Sequence, residues 1–206
     1  MNKKGMLVIL SAPSGCGKDT VFKALCKRRN DIVESVSATT RAPRDGEVDG
    51  VNYYFKTVGE FEKMIANNEL IEYAKYVENY YGTPRAYVEK MLDEGKDVIL
   101  EIEIQGALKV KEKFPDTLLL FVTPPSAEEL KNRLVGRGTE TMDVIEFRMK
   151  RAKEEALEMD RYDYLIVNDD LQECVEEMHQ IIQGEHRRSF RNAEFIEHMK
   201  EELKGE

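Results

Sequence analysis

Apolar positions along the 206-residue chain fall into two alternating patterns. Short, unbroken apolar runs occur in LVIL (residues 7–10), DVILEIE (97–103), TLLLFV (117–122) and YLIVN (164–168). Runs of this length without polar alternation suit strands covered on both faces. Between them lie stretches with helical spacing at residues 21–28, 84–93, 105–114, 126–135 and 171–182. Strands alternating with helices predict an α/β fold, a parallel sheet with helices on both faces. Ligands of such sheets bind beyond the carboxyl ends of the strands. The residues at the carboxyl ends of the runs are therefore the first candidates for chemistry: the loop from Ser11 onward, and the acids Glu101 and Glu103.

Two regions break the rhythm. Residues 35–81 carry TTRAPRDGEVDG, YYFK, a helix opened by the capping box Thr57…Glu60, and IEYAKYVENYYG. This predicts a small insertion of mixed, partly antiparallel strands. Residues 136–151, GRGTETMDVIEFRMKR, are polar, Gly-bracketed and Arg-rich, as a mobile lid over phosphates would be. The tail from Glu185 onward is charged and amphipathic, a helix expected to pack loosely on the core. The expected organisation is one domain: a core of residues 1–34, 85–125 and 156–206, a mixed α/β insertion at 35–84 and a helical lid at 126–155.

Bulk properties narrow the function. A net charge of −9 and a pI near 5.1 argue against a protein that holds nucleic acid by neutralising phosphates, and against a membrane-surface role. MNKKG leads into only a short apolar run, and no run approaches bilayer length, which predicts a cytoplasmic protein. Cys16, Cys26 and Cys174 lack metal-ligand spacing and fit a reducing compartment. Cys16 sits inside the loop after the first run, as a space-filling residue or an oxidisable thiol. His179, His186 and His198 all lie in the polar C-terminal part and are expected to be solvated on helices.

The loop itself reads SAPSGCGKDT. Gly15 and Gly17 let successive N–H groups point into one concavity, the following helix N-terminus adds positive potential, and Lys18 reaches the β and γ phosphates of a triphosphate. Ala12, Pro13, Ser14, Gly15, Cys16, Gly17, Lys18, Asp19 and Thr20 are thus the candidate triphosphate cradle. Ala12 stands where the usual pattern has Gly, and Asp19 where it has Ser or Thr. A carboxylate cannot imitate a hydroxyl, so Thr20 or water is expected to supply the Mg²⁺ contact.

The insertion carries a second constellation. Arg41 and Arg44 lie three apart, and planar guanidinium forks bind phosphate oxygens bidentately. Tyr53 and Tyr81 add phenolic donors, Ser37 and Thr83 hydroxyls. Glu72, an acceptor only, pairs naturally with the two N–H donors on the guanine edge, which adenine lacks.

With these residues the chain resembles the guanylate kinases, from Gly5 to about Arg187. The likeness rests on SAPSGCGKDT, SATTRAPRDGEVDGVNYYF, NNELIEYA, NYYGTP, ILEIEIQGA, TPPS, GRGTET and IVNDDL. It implies transfer of the γ-phosphoryl group of ATP to GMP and dGMP. It implies Ser37, Glu72 and Thr83 at guanine with Glu103 assisting, and Arg41, Arg44, Tyr53 and Tyr81 at the GMP phosphate, with Gly82 in the same NYYGTP motif. Lys18 is implied as the phosphoryl-stabilising lysine, and Arg133, Arg137 and Arg148 as arginines meeting ATP or the transferring group. Lys18, Arg41, Arg137 and Arg148 form the implied catalytic set. Asn168 would sit near adenine, and Thr20 and Glu101 near Mg²⁺, through water. The family often shows Asp-Ile-Asp where Glu101 and Glu103 stand here. Two rivals remain: a kinase for another nucleotide, against which Glu72, Ser37 and Thr83 argue, and a catalytically dead partner-binding module, against which Gly15, Gly17, Lys18 and the lid arginines argue.

Overall fold

The computed structural model describes residues 4–76, 78–136, 138 and 140–205. Along the chain come β1 (Leu7–Ser11), α1 (Lys18–Arg28), β2 (Ile32–Glu34), β3 (Ala38–Thr39), β4 (Tyr54–Phe55), α2 (Val58–Ala66), β5 (Leu70–Tyr76) and β6 (Asn79–Pro84). They are followed by α3 (Arg85–Asp93), β7 (Asp97–Leu100), α4 (Ile104–Lys113), β8 (Leu118–Thr123), α5 (Ala127–Gly136), α6 (Met142–Ala156), β9 (Tyr164–Val167), α7 (Leu171–Glu185) and α8 (Ala193–Glu202).

The four apolar runs supply β1, β7, β8 and β9 of a five-stranded parallel sheet in the order β2-β7-β1-β8-β9. β1 lies at its centre, and its alternating side chains feed both faces. Val8 and Leu10 pack with Val21 and Leu25 of α1 and with Val175, Met178 and Ile182 of α7. Leu7 and Ile9 pack with Val88 of α3 and with Ala107 and Val110 of α4. Helices cover both faces, as the pattern predicts. The pattern does not reveal β2, an edge strand of three residues of which only Ile32 is fully buried, so its apolar signal is too short. The run at 97–103 also ends early as a strand, at Leu100. There Ser11 Oγ donates to the Ile102 carbonyl at 3.1 Å and the chain turns away, which leaves Glu101 in the turn and makes Glu103 the N-cap residue of α4.

Residues 38–84 build a second sheet in the order β4-β3-β6-β5, with β3 and β4 parallel and the other pairs antiparallel. Phe61 of α2 is fully buried with Ala38 and Leu70 and stacks on Tyr80, ring centroids 5.2 Å apart. The capping box is formed: Thr57 Oγ1 accepts from Glu60 N at 3.2 Å, and Glu60 Oε2 accepts from Thr57 N at 2.7 Å. Thr57→Ala is expected to cost about 1 kcal/mol, seen as a lower urea midpoint with an unchanged slope.

The amino ends of the strands hold a buried charged cluster, and here one expectation fails. His186 is not solvated; its Nε2 lies 2.7 and 3.0 Å from the two carboxylate oxygens of Asp97. Asp97, fully buried, also accepts from Met6 N at 2.9 Å and from Arg29 Nη2 at 2.9 Å, and Arg29 reaches Asp31 as well. A buried carboxylate must be paired this densely to offset its desolvation. Polar surroundings in the sequence hid His186 because its partners are 89 residues and more away. His198 is exposed, as expected, and His179 is half-buried.

Candidate active site

The phosphate loop connects the end of β1 to the start of α1. Gly15 and Gly17 adopt φ of 102° and 83°, the left-handed region that disfavours a side chain. Each is also crowded: a Cβ at Gly15 would lie 2.7 Å from Leu134, and a Cβ at Gly17 would lie 3.0 Å from Asn168 Nδ2. Cys16, fully buried, packs against Leu130 and Leu134 of α5 and Ile145 of α6, so both lid-region helices share a small apolar core with the loop. Burial pushes the Cys16 thiol up to about 12. It is therefore a space-filling thiol, not a reactive thiolate.

Around this loop lies a cavity of about 800 Å³ lined by every residue from Ser11 to Thr20 and by Glu101, Glu103, Arg148 and Arg151. Lys18 Nζ sits 2.9 Å from Glu101 Oε2 and 3.8 Å from Asp19, whose side chain is 76% exposed and points mainly to solvent. Glu101 Oε1 is buried and has no hydrogen-bond partner among the described residues. From α6, Arg148 Nη1 donates to Ser14 Oγ at 2.6 Å while its Nη2 holds Glu140. Arg133 does not line the cavity; its Nε donates to Glu129 at 2.7 Å within α5. Asn168 Nδ2 donates to the Cys16 carbonyl at 2.7 Å, bracing the loop from the end of β9. Arg137 lies outside the described residues.

A second cavity, of about 560 Å³, opens between the two sheets and includes Ser37, Tyr53, Glu72, Tyr81 and Gly82. Glu72 of β5 is 9% exposed, and its Oε1 accepts from Thr83 Oγ1 at 2.8 Å. Burial raises the pKa of its carboxyl, against the lowering effect of that hydrogen bond. Gly82 fits because a Cβ there would approach the Glu72 carbonyl to 2.9 Å and Phe61 to 3.0 Å. Beside the cavity, Arg41 lies over the Tyr53 ring at 5.4 Å, and Tyr53 meets Tyr81 edge-on at 6.1 Å. Arg44 is in the same turn, exposed. Tyr76, Glu101, Ile102 and Glu103 line both cavities, so the two are contiguous.

The structure thus brings the expected phosphate loop, carboxylates and aromatic donors to one place, at the carboxyl ends of the central strands. A profile of the guanylate kinase family matches residues 4–185. The chain belongs to the guanylate kinase family. Its chemistry is phosphoryl transfer from ATP to GMP, giving ADP and GDP. It is 52% identical over 204 residues to the guanylate kinase of Lactococcus lactis, covering 99% of this chain and 100% of that one. It is 54% identical over 187 residues to the guanylate kinase of Bacillus subtilis, covering 90% and 92%. The crystal structure of guanylate kinase from Anaplasma phagocytophilum superposes with a TM-score of 0.72 at 37% identity, covering 92% of this chain and 90% of that one.

Two side chains at or beside these cavities were not singled out by the sequence. Arg151 of α6 lines the cavity around the Ser11–Thr20 loop and donates to Glu103 Oε1 at 2.7 Å. Its spacing of three from Arg148 puts both on one helical face, a signal that was available. Glu47 holds Arg41, and the sequence showed it only as one acid of a polar loop. Among the described residues no helix is long and apolar enough to cross a membrane, and no group of three or more His, Cys, Asp or Glu is disposed to hold a metal.

Proposed function

We propose that ATP occupies the loop cavity and GMP the cavity on the insertion, with the reacting phosphates meeting beside residues 101–103. The observation that carries this is the shared wall: Glu101 and Glu103 belong to both cavities, with Lys18 on one side and Glu72 on the other. Glu72, Ser37 and Thr83 read guanine, and Glu103 assists at its amino group. Arg41, Arg44, Tyr53 and Tyr81 hold the acceptor phosphate. Because these contacts concern base and phosphate, dGMP is accepted as well as GMP. Loop residues 12–20 cradle the ATP phosphates. Arg148 and Arg137 from the lid meet the transferring group, with Arg133 exchanging Glu129 for phosphate. Asn168 stands at the adenine rim.

The donor set fits a Mg²⁺ that arrives with ATP. Such an ion keeps most of its waters and needs few protein carboxylates, and the unpartnered buried oxygen of Glu101, with Thr20 at the loop, suffices to hold its water shell. When bound it neutralises charge on the β and γ phosphates.

No residue of this chain acts as a nucleophile. The GMP phosphate is already an anion, so the protein's work is to hold two like-charged groups in line and to neutralise the charge that develops between them. That is why arginines gather in the insertion and lid of an otherwise acidic chain. Closing the lid also excludes water, whose attack would hydrolyse ATP without transfer. A cytoplasmic location accords with both substrates.

ADP release measured across GMP, dGMP, AMP, CMP and UMP, with and without Mg²⁺, tests this reading. Turnover restricted to the guanine nucleotides and dependent on the ion is the expected result; a preference for another base overturns it. Arg41→Ala and Arg44→Ala are each expected to raise KM for GMP by about tenfold with little change in KM for ATP, since each removes a charge-assisted contact to the acceptor phosphate. Selective loss of ATP binding would assign the insertion to the other nucleotide.

A further inference from the structure

We infer that Glu47 is a positioning residue for the acceptor phosphate, acting through Arg41 and the backbone at Arg44. This rests on the reading of Arg41 and Arg44 as ligands of that phosphate. Much of the bend from Arg41 to Tyr53 is fixed by side chains bonded to its backbone. Arg44 N donates to Glu47 Oε2 at 2.7 Å, Val48 N to Asn52 Oδ1 at 2.9 Å, and Phe55 N to Asp49 Oδ1 at 2.8 Å. Only Glu47 in this set also grips a phosphate-directed side chain: its Oε1 accepts from Arg41 Nη2 at 2.8 Å.

One carboxylate thus uses each oxygen for a different partner. Arg41 is fixed further by donation from Nη1 to the Ala42 carbonyl at 2.7 Å and by lying over the rings of Tyr53 at 5.4 Å and Phe55 at 5.8 Å. The Arg41 and Glu47 side chains are only 15% and 19% exposed, so solvent competes weakly with the pair. Arginine has five N–H donors, and those not taken by Glu47 and Ala42 remain for a ligand in a direction the clamp sets. Holding the fork in advance removes the ordering that phosphate would otherwise have to impose.

Charge alone would make Glu47 unfavourable here, since a carboxylate among cations that meet a phosphate dianion repels it. Its placement of donors acts in the opposite sense. Glu47→Gln separates the two effects, because glutamine has one side-chain acceptor: it serves Arg41 or Arg44 N and turns an NH₂ toward the other donor. Glu47→Asp keeps the charge and shortens the reach by one methylene.

Steady-state kinetics of the full chain, with circular dichroism to verify folding, decide the matter; either folded variant suffices. Both are expected to raise KM for GMP about tenfold, with kcat within about threefold and KM for ATP unchanged, the pattern of lost ground-state positioning. In an Arg41→Ala background the effect of Glu47→Gln should shrink to less than half, as required of a residue that works through another. An unchanged or lower KM for GMP would show that charge prevails and overturn the proposal. So would a parallel rise in KM for ATP, which marks general loosening. If Arg41→Ala raises KM for GMP while Glu47→Gln is silent, only the positioning role falls. If Arg41→Ala itself leaves GMP untouched, the phosphate reading fails and this inference fails with it.

Discussion

Lys18→Ala is expected to lower turnover by roughly a hundred- to a thousand-fold while leaving GMP affinity largely intact. Lys18 projects from the start of α1 into the loop cavity, where its charge meets Glu101 at 2.9 Å and Asp19 more distantly. Neither acid is part of the GMP phosphate cluster around Arg41. On the proposed assignment the lysine serves the ATP phosphates, and its effect is greatest when charge shifts onto the oxygen bridging donor and transferring group. Loss of one such preorganised contact costs about 3–4 kcal/mol, which is the factor given above. Equilibrium titration with GMP, set beside single-turnover ADP formation, separates binding from chemistry. Wild-type turnover in the variant would remove the phosphate-loop assignment, and a matching loss of GMP affinity would show that the two cavities are not functionally separate.

Glu72→Gln should have the next largest effect, and it tests the base rather than the scaffold. In a carboxylate both oxygens accept, so Glu72 satisfies Thr83 Oγ1 at 2.8 Å and still offers acceptors to the guanine edge. Glutamine can turn its NH₂ toward the Thr83 hydroxyl and keep one acceptor for the base, but it cannot accept from both guanine donors. At a site only 9% exposed, water does not make up the missing bond. The cost for GMP is about 2–4 kcal/mol, most of it from groups left unpaired in a buried place. AMP presents an acceptor beside a donor, which glutamine complements. The ratio of kcat/KM for GMP over AMP should therefore fall by at least about tenfold, or roughly 1.4 kcal/mol. Burial also raises the Glu72 carboxyl, and only the deprotonated form accepts both donors, so wild-type KM for GMP should climb as pH falls toward that raised value. An unchanged ratio in a folded Gln variant would mean that Glu72 does not read the base.

The parts legible in advance were those whose signal is local. Leu7–Leu10 announced a buried strand because the unbroken apolar run leads into a Gly-rich loop and a helical pattern, and Gly15 and Gly17 announced the loop because glycine readily takes the positive φ that both adopt. The box at Thr57 and Glu60 is a contact over three residues and was read correctly. What stayed hidden depends on partners distant in sequence. His186 becomes buried only because Asp97 and Arg29 are brought to it. Asn168 was expected near adenine, and nothing in IVNDDL says that its amide also supports the Cys16 carbonyl, 152 residues earlier. Glu47 shows a subtler limit: it lies six residues from Arg41, but an irregular bend has no period from which contact can be inferred.

The order in which the cluster around Asp97 is assembled has a consequence for synthesis. Every side chain assigned above to GMP, and the whole phosphate loop, leaves the ribosome before His186 and before α7, whose Val175, Met178 and Ile182 cover one face of β1. Until then Asp97 has Arg29 and a backbone amide but not its imidazole, and that face of the sheet carries α1 without the α7 side chains that pack beside it. A nascent chain can therefore hold the full set of substrate-contacting residues and still lack the layer that makes their geometry durable. The last helix of the core, which supplies none of the side chains assigned to either nucleotide, closes the molecule.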